Sequence, residues 1–304
     1  MISILCLNPA IDTSIRVATL AGRDCLAQSV EYSLGGKAIN AARWLGANGV
    51  SHRVFVFGNQ VERAVPDLDR VVFFESGNLI RQNFTLFDDA GLVAHVRTPI
   101  STSLEKLKPA VCRFLDVAAE SEFAVLAGSV PSLTDDPQLD ELCQLLSTSR
   151  APWILDTTSF SFNQLRNLDL HTIKVNGSEF RDLAKIAGST DIATTTLQET
   201  AKQLGSRVIV TQGPGDVLAV DAGGVCLRFP IPDKYRLSGQ SVVGSGDSFL
   251  AGYLFGMDME KEFSYSVRLG VAFGISAQDV EGQYVALSKG KIAAVMNDIG
   301  PLGN

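Results

Sequence analysis

Histidine is scarce in this chain of 304 residues, with only His52, His95 and His171, and their scatter gives no metal-ligand spacing. Charge is also sparse. Charged residues make up 19%, and acids outnumber bases 33 to 26 for a net charge of −7. No basic patch or arginine-rich arm is present, which argues against nucleic acid as the main partner. The five cysteines are odd in number and widely spaced, and none forms a CxxC pair. A disulfide framework or zinc site is therefore not expected, and reduced thiols in a cytoplasmic protein are. No apolar run reaches the ~18 residues of a membrane span. The opening MISILCLNPAID has no basic lead and no cleavage site, so it reads as a first core strand rather than a signal peptide. GxxxxGK[ST] and GxGxxG are both absent, which removes the P-loop and weakens a dehydrogenase reading.

What the chain does have is a large apolar fraction, 46%, and an alternation of apolar runs with helical patterns. Strands are expected at 2–7, 53–58, 71–75, 123–128, 152–156, 172–176 and 207–213. Helices are expected over the segments that follow GGK, at 103–120, 135–147, 177–188 and 196–205, with Pro109 a breaking or starting point in the second. DVLAVDAGGVCLRF reads as a hairpin turning at Ala222-Gly223-Gly224, and three helices close the chain at about 247–257, 260–278 and 287–298. Such alternation predicts a doubly wound, mostly parallel sheet flanked by helices, in one domain over 1–304. Strands at 14–19, 26–34 and 82–97 break the rhythm and are expected to form a small separate sheet, a lid over the site.

Polar residues and glycines cluster where strands should end, the edge at which such sheets bind ligands. They are Asn8 and Asp12, Gly35-Gly36-Lys37 with Asn40, Ser129, Asp156, Asn176 with Glu179, and Thr211 with Gly213. The stretch VVGSGDSFLAG adds Gly244, Ser245, Gly246 and Asp247 ahead of a helical apolar run. Amides from Gly244 to Asp247 are expected to point free at a helix N-terminus, an anion site with a carboxylate beside it.

These motifs, GGKAIN, AGSVP, KVNGSE, VTQGPGD and VVGSGDS, resemble those of the PfkB (ribokinase-like) sugar kinases along nearly the whole chain. LNPAID and VGSGDS look closest to the 1-phosphofructokinase and tagatose-6-phosphate kinase branch. The resemblance implies ATP-dependent phosphorylation of a sugar, with Asp247 as base and Gly244, Ser245 and Gly246 as anion hole. It implies sugar contacts at Asp12, Gly35, Gly36 and Asn40, and phosphate contacts at Lys37, Arg81 and Ser129. Asn176, Thr211, Gly213, Gly215 and Ser276 are implied on the ATP side, with Glu179 helping to organise Mg²⁺. It further implies a homodimer formed through the lid.

The sequence departs from the family pattern in places. Ala38 replaces a usual glycine after GGK, Asp216 stands where the nucleotide loop has a glycine, and Ser276 stands where an asparagine is common. GNQVERAVPDLDR is short, and Arg23 is out of register with an arginine often found before the GGK strand. A phosphorylated ketohexose is favoured by LNPAID, Lys37 and Arg81. A neutral sugar or nucleoside as substrate remains open, as does a non-catalytic sugar-phosphate sensor on the same fold.

Overall fold

The computed structural model describes residues 1–19, 24–58, 70–74, 80–133, 136–186, 191–236, 244–279, 287–300 and 302–303. In chain order the first half reads β1 (Ile2–Cys6), β2 (Ala10–Arg16), β3 (Ser29–Gly35), α1 (Lys37–Ala47), β4 (His52–Phe57), β5 (Val71–Phe74), β6 (Arg81–Asp88), β7 (Gly91–Arg97), β8 (Ser101–Thr102), α2 (Leu104–Ala118), β9 (Phe123–Ala127) and β10 (Ser132–Leu133). The second half reads α3 (Asp136–Leu146), β11 (Trp153–Asp156), α4 (Phe162–Leu165), β12 (Leu170–Asn176), α5 (Gly177–Leu183), α6 (Thr194–Leu204), β13 (Arg207–Thr211), β14 (Val217–Val220), β15 (Cys226–Phe229), α7 (Ser245–Asp258), α8 (Phe263–Ser276), α9 (Lys289–Asp298) and β16 (Leu302–Gly303).

Ten of these strands form one sheet in the order β16-β15-β14-β13-β12-β11-β9-β1-β4-β5. From β13 to β5 all neighbours pair in parallel, and β14, β15 and β16 add an antiparallel edge. Parallel strands covered on both faces read as continuous apolar runs. Along β1 and β4, Ile4, Cys6, Val54 and Val56 pack into one core. Leu5, Phe55 and Phe57 alternate with them into the other. The first core is closed by α1, α7, α8 and α9, the second by α2 to α6.

A four-stranded sheet, β3-β2-β6-β7, stands apart, as the broken rhythm predicted. Its register puts Asp12 opposite Ser33 and Asn83, with Gly35 and Arg81 flanking the neighbouring Ala10. The opposite face carries Thr13 with Tyr32 and Phe84, and Ile15 with Val30 and Leu86. One face is thus polar and the other apolar.

Three expectations need correction. The second strand begins at Ala10 rather than residue 14, so Asp12 lies inside a strand and not in a loop after β1. Pro109 neither starts nor breaks α2. The buried stripe of Leu104, Leu107, Val111 and Phe114 holds the helix together despite the missing N–H donor. The two-residue strands β8, β10 and β16 had no periodicity to announce them. Val242 and Val243, Arg23 and most of GNQVERAVPDLDR lie outside the described residues. No helix among the described residues is long and apolar enough to cross a membrane.

Candidate active site

Helix α7 starts at a glycine because its N-cap needs a left-handed backbone, with Gly244 at φ 91° and ψ −4°. No side chain caps this helix. The Gly244 carbonyl accepts from the Asp247 and Ser248 amides at 3.1 and 2.9 Å. The Asp247 amide is therefore engaged, contrary to the expectation of four free amides, and Gly244, Ser245 and Gly246 begin the helix. Phe249, Leu250, Tyr253 and Leu254 are buried and anchor it.

Asp247 is only 7% exposed. Asn40, one turn into α1, donates from Nδ2 to Asp247 Oδ2 at 2.8 Å. Burial pushes the Asp247 carboxyl up from 3.8 to about 6. The Asn40 hydrogen bond opposes this, the Asp156 charge adds to it, and Lys174 and Lys37 oppose it. A carboxylate of that kind suits a base working near neutral pH.

Beneath it, at the end of β11, the Asp156 carboxylate is completely buried. Lys37 Nζ donates to one of its oxygens and Lys174 Nζ to the other, both at 2.7 Å. Burial would raise this carboxyl, but the two ammonium groups outweigh burial and hold it below the usual range. Lys174 is itself buried, lies over the Phe249 ring at 5.8 Å, and stands 3.6 Å from where a Gly246 Cβ would be. Two lysines and a helix N-terminus thus offset the carboxylates of Asp156, Asp247 and Glu179 in this pocket. Lys174 was missed because a lysine within an apolar strand carries no sign of its partner, which lies 18 residues away in sequence.

Asn176 and Glu179 form a capping box at the start of α5. Asn176 Oδ1 accepts from the Glu179 amide at 2.9 Å, and Glu179 Oε2 accepts from the Asn176 amide at 2.7 Å. The other Glu179 oxygen lies 3.8 Å from Lys37. Among the described residues no cluster of three His, Cys, Asp or Glu side chains is arranged to hold a metal. The Glu179 carboxylate, held by the capping box and paired with Lys37 only at 3.8 Å, fits Mg²⁺ held through waters, the hydration this ion prefers to keep.

Thr211 pairs in register with Asn176, so the Gln212–Gly215 turn opens beside the capping box. Gly213 has φ 59°, and the Gly215 amide donates to the Gln212 carbonyl at 2.9 Å. Ser276 ends α8, whose Gly274 lies close under the Ser245 carbonyl. Ser276 Oγ is buried with no partner among the described residues.

The small sheet supplies the remaining side chains. Asn83 Nδ2 donates to Asp12 Oδ1 at 2.6 Å. Burial raises the Asp12 carboxyl, while Asn83 and Arg81 oppose the rise. A Cβ on Gly35 would stand 1.7 Å from Asp12 Oδ2, so only glycine admits that carboxylate. Arg81, Asn8, Pro9 and Thr102 line a small cavity of about 20 Å³. Arg81 Nε and Asn8 Oδ1 are buried without partners among the described residues, and Asn8 Nδ2 donates to Ser129 Oγ at 2.9 Å. The expected residues thus fall into two groups: Asp247, Asn40, Lys37 and Glu179 around Asp156, and Asp12, Gly35 and Arg81 with Ser129 on the sheet side. Gly35-Gly36-Lys37 joins them in sequence.

The pfkB family carbohydrate kinase profile matches residues 101–286, more than half the chain. The chain belongs to the PfkB family of carbohydrate kinases. It is 25% identical over 290 residues to 1-phosphofructokinase of Bacillus subtilis (strain 168), covering 90% of this chain and 91% of that protein. Its fold matches phosphofructokinase-2 from Escherichia coli in complex with fructose-6-phosphate, at TM-score 0.81, 21% identity and 98% of both chains. The tetrameric inhibited form of the same E. coli enzyme matches at TM-score 0.80, 22% identity and 98% of both chains. These PfkB neighbours have the ribokinase-like fold predicted from sequence, a mostly parallel sheet between helices with a small sheet beside it.

Proposed function

We propose that this PfkB kinase transfers the γ-phosphoryl group of ATP to a hydroxyl of a phosphorylated ketohexose, a fructose or tagatose phosphate. The observation that carries the reading is Asp247, a buried carboxylate with a raised pKa at the uncapped N-terminus of α7. Phosphoryl transfer needs little covalent help and much positioning and charge stabilisation. Asp247 accepts the proton of the attacking hydroxyl while Asn40 fixes its other oxygen. The new O–P bond forms as the bond to ADP breaks. The Ser245 and Gly246 amides with Lys174 receive the charge on the moving group, a contribution of about 10²–10³ in rate for one such donor. Glu179 would hold Mg²⁺ through waters, and the ion would supply charge neutralisation to the ATP phosphates. Asp12 hydrogen-bonds sugar hydroxyls in the space Gly35 leaves. The unpaired buried Arg81 Nε supports a phosphate at that end, with Ser129 beside it. The Gln212–Gly215 turn and Ser276 face the nucleotide.

Lys37 favours a second reading. Its ammonium is already bound to Asp156, so Arg81 alone would mark the sugar phosphate, and a neutral sugar is then the substrate. A coupled ADP-release assay across fructose 1-phosphate, fructose 6-phosphate, tagatose 6-phosphate, fructose and ribose separates the two. Turnover of a phosphorylated ketose, weakened by Arg81→Ala, is expected. Turnover of neutral sugars alone would discard the phosphate pocket, and silence with ATP bound would point to a sensor.

The outer face of the small sheet exposes Val30, Tyr32 and Val96 at 43, 68 and 56%. An apolar sheet face of this kind needs cover, and a second copy of the chain supplies it. Light scattering of the wild type and of Tyr32→Glu tests the homodimer.

A further inference from the structure

Asp216, the residue that stands in place of a family glycine, is 8% exposed and its carboxylate is fully engaged. Arg228 donates from Nε to Oδ2 at 2.7 Å, and its Nη2 lies 2.6 Å from the same oxygen. Arg236 Nη2 and the Ile231 amide donate to Oδ1 at 3.0 and 3.1 Å. Arg236 also donates from Nε to the Ile231 carbonyl at 2.7 Å, closing the ring of contacts. Both arginines are half exposed, at 57 and 42% of the side chain, yet both reach this carboxylate, Arg236 while also lying 3.6 Å from Asp233 Oδ1. A buried carboxylate survives only with such a set of donors.

The same residue holds the turn before it. Its carbonyl accepts from Gln212 Nε2 at 3.0 Å, and the Gln212 carbonyl accepts from the Gly215 amide. The main chain of Asp216 thus braces the Gln212–Gly215 turn, and its side chain ties that turn to the 231–236 segment. A carboxylate beside a phosphate-binding turn is electrostatically adverse unless neutralised, and here two guanidinium groups neutralise it.

We propose that Asp216 is a positioning residue for nucleotide binding: it acts through the Gln212–Gly215 turn, fixing its amides in place before ATP arrives. Preorganisation of this kind raises affinity without adding a contact to the ligand. The inference rests on the kinase reading above. It predicts that nucleotide affinity depends on the complete set of donors held by this carboxylate, which either an added methylene or the loss of the charge breaks.

The test is Mg-ATP binding by calorimetry, with steady-state kinetics and melting curves, for the wild type, Asp216→Glu and Asp216→Asn. Asp216→Glu keeps the charge and moves the carboxylate by one methylene. Asp216→Asn keeps the shape and removes the charge. Positioning predicts that both variants bind Mg-ATP about tenfold more weakly, with KM for the sugar substrate within about twofold and kcat retained at saturating ATP. If charge alone matters, Asp216→Glu binds as the wild type does and Asp216→Asn binds more tightly, which overturns the proposal. Equal affinity in all three proteins overturns it too, as does a parallel loss in both KM values and kcat. Should one variant fail to fold, the other still separates the two cases. A wild-type chain that binds no Mg-ATP would overturn the kinase reading along with this one.

Discussion

Asn40 Nδ2 lies 2.8 Å from Asp247 Oδ2, so the first helix of the chain holds one oxygen of a carboxylate 207 residues further on. The bond leaves the second oxygen of Asp247 for a proton. It also favours the ionised form, against the burial that disfavours it. The balance of the two sets when this group can act as a base.

Asp247→Asn is expected to abolish turnover and to stabilise the protein at pH 8. The folded-state pKa of Asp247, about 6, lies above the ordinary value of 3.8. Its contribution to stability is therefore full below pH 3.8 and is lost as pH rises through about 6. At pH 8 the ionised group costs the fold up to about 3 kcal/mol. Asparagine can still accept from Asn40 and carries no such cost. A gain of about 1–3 kcal/mol, or a few degrees in Tm, should appear by melting at pH 8 and vanish near pH 4. Residual turnover in the folded variant would remove Asp247 as base; an unchanged Tm would remove the strain.

The pH–rate profile gives a second expectation. The acid limb of kcat/KM should fall near pH 6, where Asp247 becomes protonated. Asn40→Ala removes a hydrogen bond that lowers this pKa, so the limb should move to higher pH. The shift separates this role from a simple sugar contact, which would raise KM and leave the limb in place.

Gly35→Ala tests the sheet side of the site. The added methyl would overlap the Asp12 carboxylate, displacing it from Asn83. A catalytic group misplaced by about 1 Å can cost about 10²-fold, and a loss of that order in kcat/KM for the sugar is expected. KM for ATP should hardly change, since Asp12 and Gly35 lie in the small sheet and the residues proposed for the nucleotide, Thr211 to Gly215, lie at the end of β13. A variant with normal sugar kinetics would exclude Asp12 from the sugar site.

The parallel sheet was legible because strands such as Ile2–Cys6 and Phe123–Ala127 are buried along their whole length and read as unbroken apolar runs. The small sheet was legible only as a break in rhythm. Asp12 looked like a loop residue because it closely follows Pro9, and only pairing with both β3 and β6 makes it a strand residue. Gly35 announced a close approach, but not which side chain would come close. Asp156, Lys37 and Lys174 show the limit most clearly. Each is charged, and their meeting depends on the adjacency of β11, β12 and the start of α1, which no local pattern encodes. Asp216 was visible as a departure, while the arginines that neutralise it were not.

The last expectation concerns stability in acid, at the opposite end of β12 from Asn176. His171, the second residue of β12, packs against Phe123 with ring centroids 4.7 Å apart. One ring nitrogen meets Thr172 Oγ1 at 2.9 Å and the other meets Arg207. Thr172 in turn meets Tyr253 OH at 2.8 Å, so the group is tied into α7. Burial, and then the Arg207 charge, lower the His171 pKa from 6.5 to about 4. The folded protein holds this histidine neutral while the unfolded chain binds a proton below pH 6.5. Stability is therefore full above pH 6.5 and drains away as pH falls towards 4, then stops changing on this account. Allowing for partial exposure, the loss is up to about 2 kcal/mol. His171→Gln cannot take the proton, so urea unfolding of the variant from pH 7 to pH 4 should show a flatter slope than the wild type. Parallel slopes for the two proteins would assign the acid sensitivity to other groups.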